Sequence, residues 1–184
     1  MDDIRVLYPP SQISEGVKAI VRGTVLRAEE AAGAGRPIIV MPVLNAAFML
    51  AADFCREWHN QKGPSMSLAF IKVSSYVGKR KTTSSILGLG LDKVPENAFV
   101  IVIDTVADTG DTLRLVKAAL PLTPPEMYRV LLAKEDKVNL SEIGDRLRSS
   151  IFLPGDPWLI GYGLDYNGRY RQLPYIGALA NESK

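Results

Sequence analysis

Cysteine and histidine each occur once in this 184-residue chain, as Cys55 and His59. A single cysteine excludes an internal disulfide and a Cys-x-x-Cys metal site, and a buried thiol in a reducing compartment is its plainest role. A single histidine argues against histidine-based metal sites and Ser-His-Asp triads. Charge imbalance is also lacking: a net +2 is too small to indicate a nucleic-acid or membrane partner by itself. The most apolar region, residues 37–54, is broken by Pro42 and Asn45 and makes a poor membrane span. The N-terminal MDDIR is acidic where a secretory signal is basic, so a cytoplasmic location is expected. Any chemistry must rest on carboxylates, lysines, arginines and backbone groups.

What remains is an ordinary globular composition, 47% hydrophobic and 23% charged, in a length that suits one domain spanning 1–184. Strand and helix patterns alternate along it. Ile13, Val17, Ile20, Val21, Val25 and Ala28 recur at helical spacing, with Ser11 or Ser14 available as caps and Gly33, Gly35 and Pro37 as the stop. "IIVMPVL" (38–44) is the nearly uninterrupted apolar run of a strand covered on both faces. Residues 46–58 read as the next helix, with Phe48, Ala51, Ala52 and Cys55 on one side. "SLAFIKVSSY" (67–76) reads as a strand, "VGKRKTTSS" (77–85) as a mobile loop, and "ILGLGL" (86–91) as a returning strand. "YRVLLAK" (128–134) is another strand, followed by a charged stretch with a helix expected near 141–148. No internal repeat is present. The pattern predicts a mostly parallel sheet covered by helices.

"FVIVIDTVADTGDTLRLV" (99–116) is the informative stretch. Five strand formers run into a turn rich in oxygen groups, and Leu113, Val116 and Leu120 then follow at helical spacing. Ligands of open α/β sheets sit beyond the carboxyl ends of the strands, and a helix start offers N–H groups and a positive dipole end to an anion. Residues 108–112 can therefore cradle a phosphate, with Gly110 allowing close approach and Thr109 and Thr112 adding donors. The plainer alternative is a helix start capped by Asp108.

The wording of this stretch decides between them. "VIVIDTVADTGDTL" resembles the phosphoribosyl-pyrophosphate (PRPP) motif of type I phosphoribosyltransferases, and "WLIGYGLDYNGRYRQLPYIGAL" (158–179) resembles the C-terminal signature of the hypoxanthine-guanine branch. "FIKVSSY" (70–76) is similar to that family's Ser-Tyr loop, and "PVLNAAFMLAADF" (42–54) to its pyrophosphate loop. The resemblance runs in order over about residues 5–180. It implies an α/β fold with a mostly parallel central sheet, flanking helices and a small hood from the N- and C-terminal segments. It also implies purine salvage: a 6-oxopurine, hypoxanthine or guanine, and PRPP give IMP or GMP and pyrophosphate, with magnesium.

Roles follow by resemblance. Asp108 takes the place of the acid beside purine N7, a general base, and 108–112 (Asp108, Thr109, Gly110, Asp111, Thr112) that of the 5′-phosphate loop. The Asp111 carboxylate must point outward to spare the phosphate. Asp104 and Thr105 take the place of the acidic pair on the ribose, with Asp104 and Asp165 near the metal. Charged hydrogen bonds are about twice as strong as neutral ones, so threonine at 105 should weaken ribose or metal binding. Lys134 takes the place of the donor to the purine 6-oxo group, Trp158 of the stacking aromatic, and Leu159 of the backbone contact to the purine edge. A solvated strand-end lysine and a core tryptophan are the plainer readings of the first two. Arg171, otherwise a surface arginine, and Leu44 with Asn45 are assigned to pyrophosphate, and Ser75 and Tyr76 to a closing loop. Asn45, Ala46 and Ala47 stand where relatives carry Lys-Gly-Gly or Lys-Gly-Ser, which removes a cation and the permissive backbone of glycine. A cis bond is frequent in this loop of the family.

Three functions follow in order: an active 6-oxopurine phosphoribosyltransferase; a non-catalytic relative binding PRPP or a purine nucleotide; and, last, an RNA-binding regulator supported only by Lys79-Arg80-Lys81. The expected partners are PRPP, purine base, pyrophosphate and purine nucleoside monophosphate, without nucleic acid or membrane, in a homodimer or homotetramer.

Overall fold

In the computed structural model the described residues are 3–77, 80–120, 125–134, 137 and 146–183, and the described side chains exclude 74–77, 80–86, 89, 92 and 180–183. The elements run β1 (Ile4–Tyr8), α1 (Pro10–Gly33), β2 (Ile38–Leu44), α2 (Phe48–Asn60), β3 (Met66–Leu68), β4 (Phe70–Val77), β5 (Arg80–Leu89), β6 (Phe99–Ala107), α3 (Asp111–Ala119), β7 (Met127–Lys134), β8 (Leu147–Leu153), β9 (Pro157–Ile160) and β10 (Ile176–Ser183). The main sheet has the order β5-β4-β2-β6-β7-β8, with short β3 also on β2. Its pairs are parallel except β4–β5. A second, antiparallel sheet, β1-β10-β9, forms the hood from the two ends of the chain.

Period-two alternation sends the central strands into both layers of core. Ile38 and Val40 of β2, with Phe99, Ile101 and Ile103 of β6, pack with α1 and α2. Ile39, Met41 and Val43, with Val100 and Val102, pack with Leu113 and Val116 of α3. Both strands are covered on two faces, which explains their unbroken apolar runs. The parallel register then carries the C-terminal ends of β2, β6 and β7 to one side of the sheet.

α1 buries the six residues expected of it. Its start differs. Pro10 opens the helix, Pro9 is the cap residue without a side-chain bond, and Ser11 and Ser14 lie inside the first turns. Proline has no N–H to satisfy at this position, so no serine cap is required. α2 buries Leu50, Ala51, Phe54 and Trp58, whereas Phe48 and Ala52 are exposed and Cys55 is half-buried. Phe54 and Trp58 stack at 5.5 Å, and these two rings, having the most surface to bury, set the helix phase.

The loop expected at 77–85 is a strand through most of its length: β5 begins at Arg80 and pairs with β4. Thr82 and Thr83 are β-branched, a residue type that suits a strand despite the polarity of the stretch. Lys79, and with it part of the 79–81 cluster, lies outside the described residues. The helix expected at 141–148 gives way at its end to β8, which takes Leu147 and Arg148; residues 141–145 lie outside the described residues. No helix among the described residues is long and apolar enough to cross a membrane.

Phe54 is fully buried at the centre of the α1–α2 layer. Phe54→Ala should cost about 3–5 kcal/mol, as large-to-small aromatic substitutions do, read from the urea midpoint. A loss below ~1 kcal/mol would mean that the α2 face repacks freely.

Candidate active site

β6 delivers the acidic turn and α3 receives it. Gly110 caps α3 at φ 88°, a conformation that favours glycine, so the residue type is set by the backbone path. The cap position itself, being glycine, brings no side-chain bond to α3. The Thr109 hydroxyl donates to the Asp111 carboxylate at 2.8 Å and accepts the Asp111 N–H at 3.3 Å. The Asp111 carboxylate is 64% exposed and paired with Arg114. Thr112 follows in the first turn of α3.

Lys134 ends β7 and is 3% exposed. It is no solvated strand-end lysine: its ammonium sits 2.5 Å from Asp156 and 3.3 Å from Asp108, and Lys137 also pairs with Asp156. These groups stand beside a cavity of about 190 Å3 lined by Asp108, Lys134, Trp158, Leu159, Val106 and Asp165, among others. Its size is below the ~300–1,000 Å3 of drug-sized sites and suits one small planar ring system. Trp158 is half-buried, lies edge-on to Tyr166 at 5.8 Å and donates its indole N–H to the Asp165 carbonyl at 3.3 Å. Leu159 is held in β9 opposite Ala178 of β10. Asp156 is the residue that the sequence reading missed. It lies 22 positions beyond its lysine, and neither periodicity nor a motif connects them.

The loop after β2 faces the same turn. Its Leu44-Asn45 peptide bond is cis, a point that the sequence left open. Thr105 is fully buried, and its hydroxyl donates to the Ala46 carbonyl at 3.0 Å. The resemblance assigns position 105 to the ribose; here its hydroxyl reaches the loop after β2. Asp104 beside it is 6% exposed and accepts the Thr105 N–H at 2.7 Å. On the hood side, Gly163 has φ 94°, and a Cβ there would stand 2.0 Å from the Ala46 carbonyl oxygen. Arg171 donates to the Gly163 carbonyl at 2.6 Å and pairs with Asp165 at 2.5 Å, while Asp165 also accepts the Gly168 N–H. Ser75 and Tyr76 lie in β4, and their side chains are outside the described residues.

Comparison with known proteins gives the same direction. No family model matches the chain. Over 175 residues it is 29% identical to the hypoxanthine phosphoribosyltransferase of Escherichia coli K12, covering 95% of this chain and 94% of that protein. The chain is similar to hypoxanthine and hypoxanthine-guanine phosphoribosyltransferases over most of its length. It is also 29% identical over 154 residues to the hypoxanthine-guanine phosphoribosyltransferase of Staphylococcus epidermidis, covering 80% of each. Among solved structures, the hypoxanthine-guanine phosphoribosyltransferase of Bacillus anthracis superposes with a TM-score of 0.75 at 26% identity, covering 98% of this chain and 99% of that one. The hypoxanthine phosphoribosyltransferase of Trypanosoma cruzi gives 0.75 at 26%, covering 95% of each. The parallel sheet with its terminal hood is the phosphoribosyltransferase architecture that the sequence implied.

Burial pushes the Asp104 carboxyl up to about 7, against the smaller opposing effect of the Thr105 N–H. The folded protein therefore keeps a proton that an unfolded aspartate, ordinarily near pKa ~3.9, has lost. This contribution is fully present below that ordinary value and is lost as pH rises toward about 7. In EDTA, Asp104→Asn should melt several degrees above wild type at pH 8 and together with it at pH 4. Coincident melting at both pH values would show that the carboxylate is compensated in the fold.

Proposed function

We propose that this protein transfers the 5-phosphoribosyl group of PRPP to a 6-oxopurine, hypoxanthine or guanine, yielding IMP or GMP and pyrophosphate in purine salvage. The observation that carries this reading is the pairing, at one small cavity, of a buried ammonium with a carboxylate: Lys134 against Asp108. An ammonium donates to a 6-oxo group and repels the hydrogens of a 6-amino group. As a purine nitrogen bonds to the ribose C1 and the C1–pyrophosphate bond breaks, the purine must lose a proton. Asp108 is the carboxylate at hand, held 3.3 Å from the Lys134 ammonium. Trp158 supplies a ring face, and Leu159 backbone groups for the purine edge.

The other end of PRPP is assigned to the turn of β6 and α3. Thr109, Gly110, Asp111 and Thr112 offer backbone N–H groups and hydroxyls to the 5′-phosphate. Leu44, Asn45 and Arg171 are assigned to pyrophosphate, and Ser75 and Tyr76 to closure over the reacting centre. Asp104 serves the ribose, while Thr105 acts on it indirectly by fixing the Ala46 carbonyl. Asp104 is a buried carboxylate with no paired cation among the described residues, which fits a divalent ion. Asp165 would share such an ion only by loosening its pair with Arg171. Magnesium held by one or two carboxylates takes its remaining ligands from substrate oxygens, and when bound it neutralises the leaving pyrophosphate. The reading includes a single domain over 1–184, a cytoplasmic setting apart from membranes and nucleic acid, and a homodimer or homotetramer.

A magnesium-dependent assay with hypoxanthine, guanine, xanthine and adenine in parallel tests this. Hypoxanthine or guanine should be used and adenine refused. Adenine turning over as well as hypoxanthine would remove Lys134 from base selection, and PRPP binding without any turnover would make the protein the non-catalytic relative. Asp108→Asn should lower kcat about 10²–10⁴-fold, the usual range for a general acid–base group, with little change in nucleotide affinity. Unchanged kcat would take Asp108 out of the chemistry.

A further inference from the structure

A larger cavity, about 620 Å3, opens between α1 and the β7–β8 edge of the sheet and shares no lining residue with the small cavity beside Lys134. Its volume falls in the ~300–1,000 Å3 range of small-molecule sites. Four arginines line it: Arg27 from α1, Arg129 from β7, and Arg146 and Arg148 at the start of β8. Among the described residues the acid that lines it is Glu126, which is paired with Arg36.

Arg129 gives the cavity its character. It is 4% exposed, yet its guanidinium contacts only neutral acceptors. These are the Thr24 hydroxyl at 2.9 Å, the carbonyls of Tyr128, Arg146 and Gly23 at 3.1, 3.2 and 3.4 Å, and the Met127 sulfur at 3.5 Å. Among the described residues no carboxylate balances this charge. Burial, then the like charges of Arg148 and Arg27, lower its pKa to about 10, so it remains a cation at neutral pH. A buried cation left uncompensated is costly, and flanking it with further guanidiniums raises that cost unless an anion completes the site. With its donors committed, Arg129 acts as a fixed positive floor. Arg27 and Arg148 lie where a ligand can reach them.

We propose that this cavity binds a compact oligophosphate, either the phosphate chain of a nucleotide or an inorganic chain. Several closely spaced anionic oxygens match several guanidiniums, which bind phosphate through paired N–H groups. A nucleic-acid strand fits less well: the site is a bounded cavity, and among the described residues no aromatic lines it to stack bases. The proposal is independent of the transferase reading, whose site lies elsewhere.

The test is calorimetric titration of inorganic tripolyphosphate, and separately GTP, into protein saturated with GMP, comparing wild type with Arg27→Gln/Arg148→Gln. Wild type should bind about one equivalent, and the double variant at least tenfold more weakly, with an unchanged far-ultraviolet spectrum and unchanged GMP binding. Tripolyphosphate binding alone identifies a bare phosphate chain, and tighter GTP binding a nucleotide. Absence of binding to wild type, or equal binding to the double variant, overturns the proposal. So does a single-stranded RNA 20-mer that binds where tripolyphosphate does not, or a variant whose sedimentation shows a lost contact between copies without any loss of tripolyphosphate. If GMP fails to bind, the transferase reading suffers, and titration of the ligand-free protein still compares the two variants at this cavity.

Discussion

The buried ammonium of Lys134 constrains the rest of the site. A cation 3% exposed at a strand end needs carboxylates within hydrogen-bonding reach, and the fold brings two from different directions. Asp108 comes from the turn after β6 and Asp156 from the approach to β9. One lysine therefore fixes the spacing between the main sheet and the hood at the point where the small cavity opens. Pairing of this kind is poor evidence for net stability, since desolvation consumes much of the attraction. Its return is positional: three charged groups are held in register before any ligand arrives.

That register depends on ordinary packing. β2, β6 and β7 are buried on both faces, so slipping any of them by one residue would exchange its two sets of side chains between the helical layers. The C-terminal ends of these strands are thereby fixed relative to one another. The loop at Leu44, the acidic turn at Asp104 and the lysine at Lys134 inherit that alignment. Site geometry here is a consequence of core geometry.

The legible parts of the sequence were those with local physical signatures. The apolar runs of β2 and β6 marked doubly covered strands, and Gly110 with its oxygen-rich neighbours marked the turn into α3. α2 was misphased because the spacing of small apolar residues does not reveal that Phe54 and Trp58 stack. The β4–β5 hairpin was hidden by polarity, which reports solvent contact more directly than backbone shape. Asp156 was invisible for a different reason: its meaning depends on a lysine brought to it through tertiary structure. Thr105 was read by its position in a motif, whereas its burial against the loop after β2 decides where its hydroxyl goes.

The loop carrying Asn45, Ala46 and Ala47 lacks the glycines that would let it adjust, and the structure supplies what stands in their place. The Ala46 carbonyl is gripped by the Thr105 hydroxyl from one side and approached by Gly163 from the other, while Ala47, fully buried, anchors the start of α2. A loop braced in this way has fewer conformations to lose than a glycine-rich one. The entropy of ordering it is settled largely during folding, so an anion bound there, as proposed, would need less binding energy to organise it. On the proposed assignment of this loop to pyrophosphate, rigidity would substitute in part for a cation at position 45. Threonine at 105 and alanine at 46 then form a linked pair: an acidic residue at 105 would set a carboxylate against that carbonyl and release the brace.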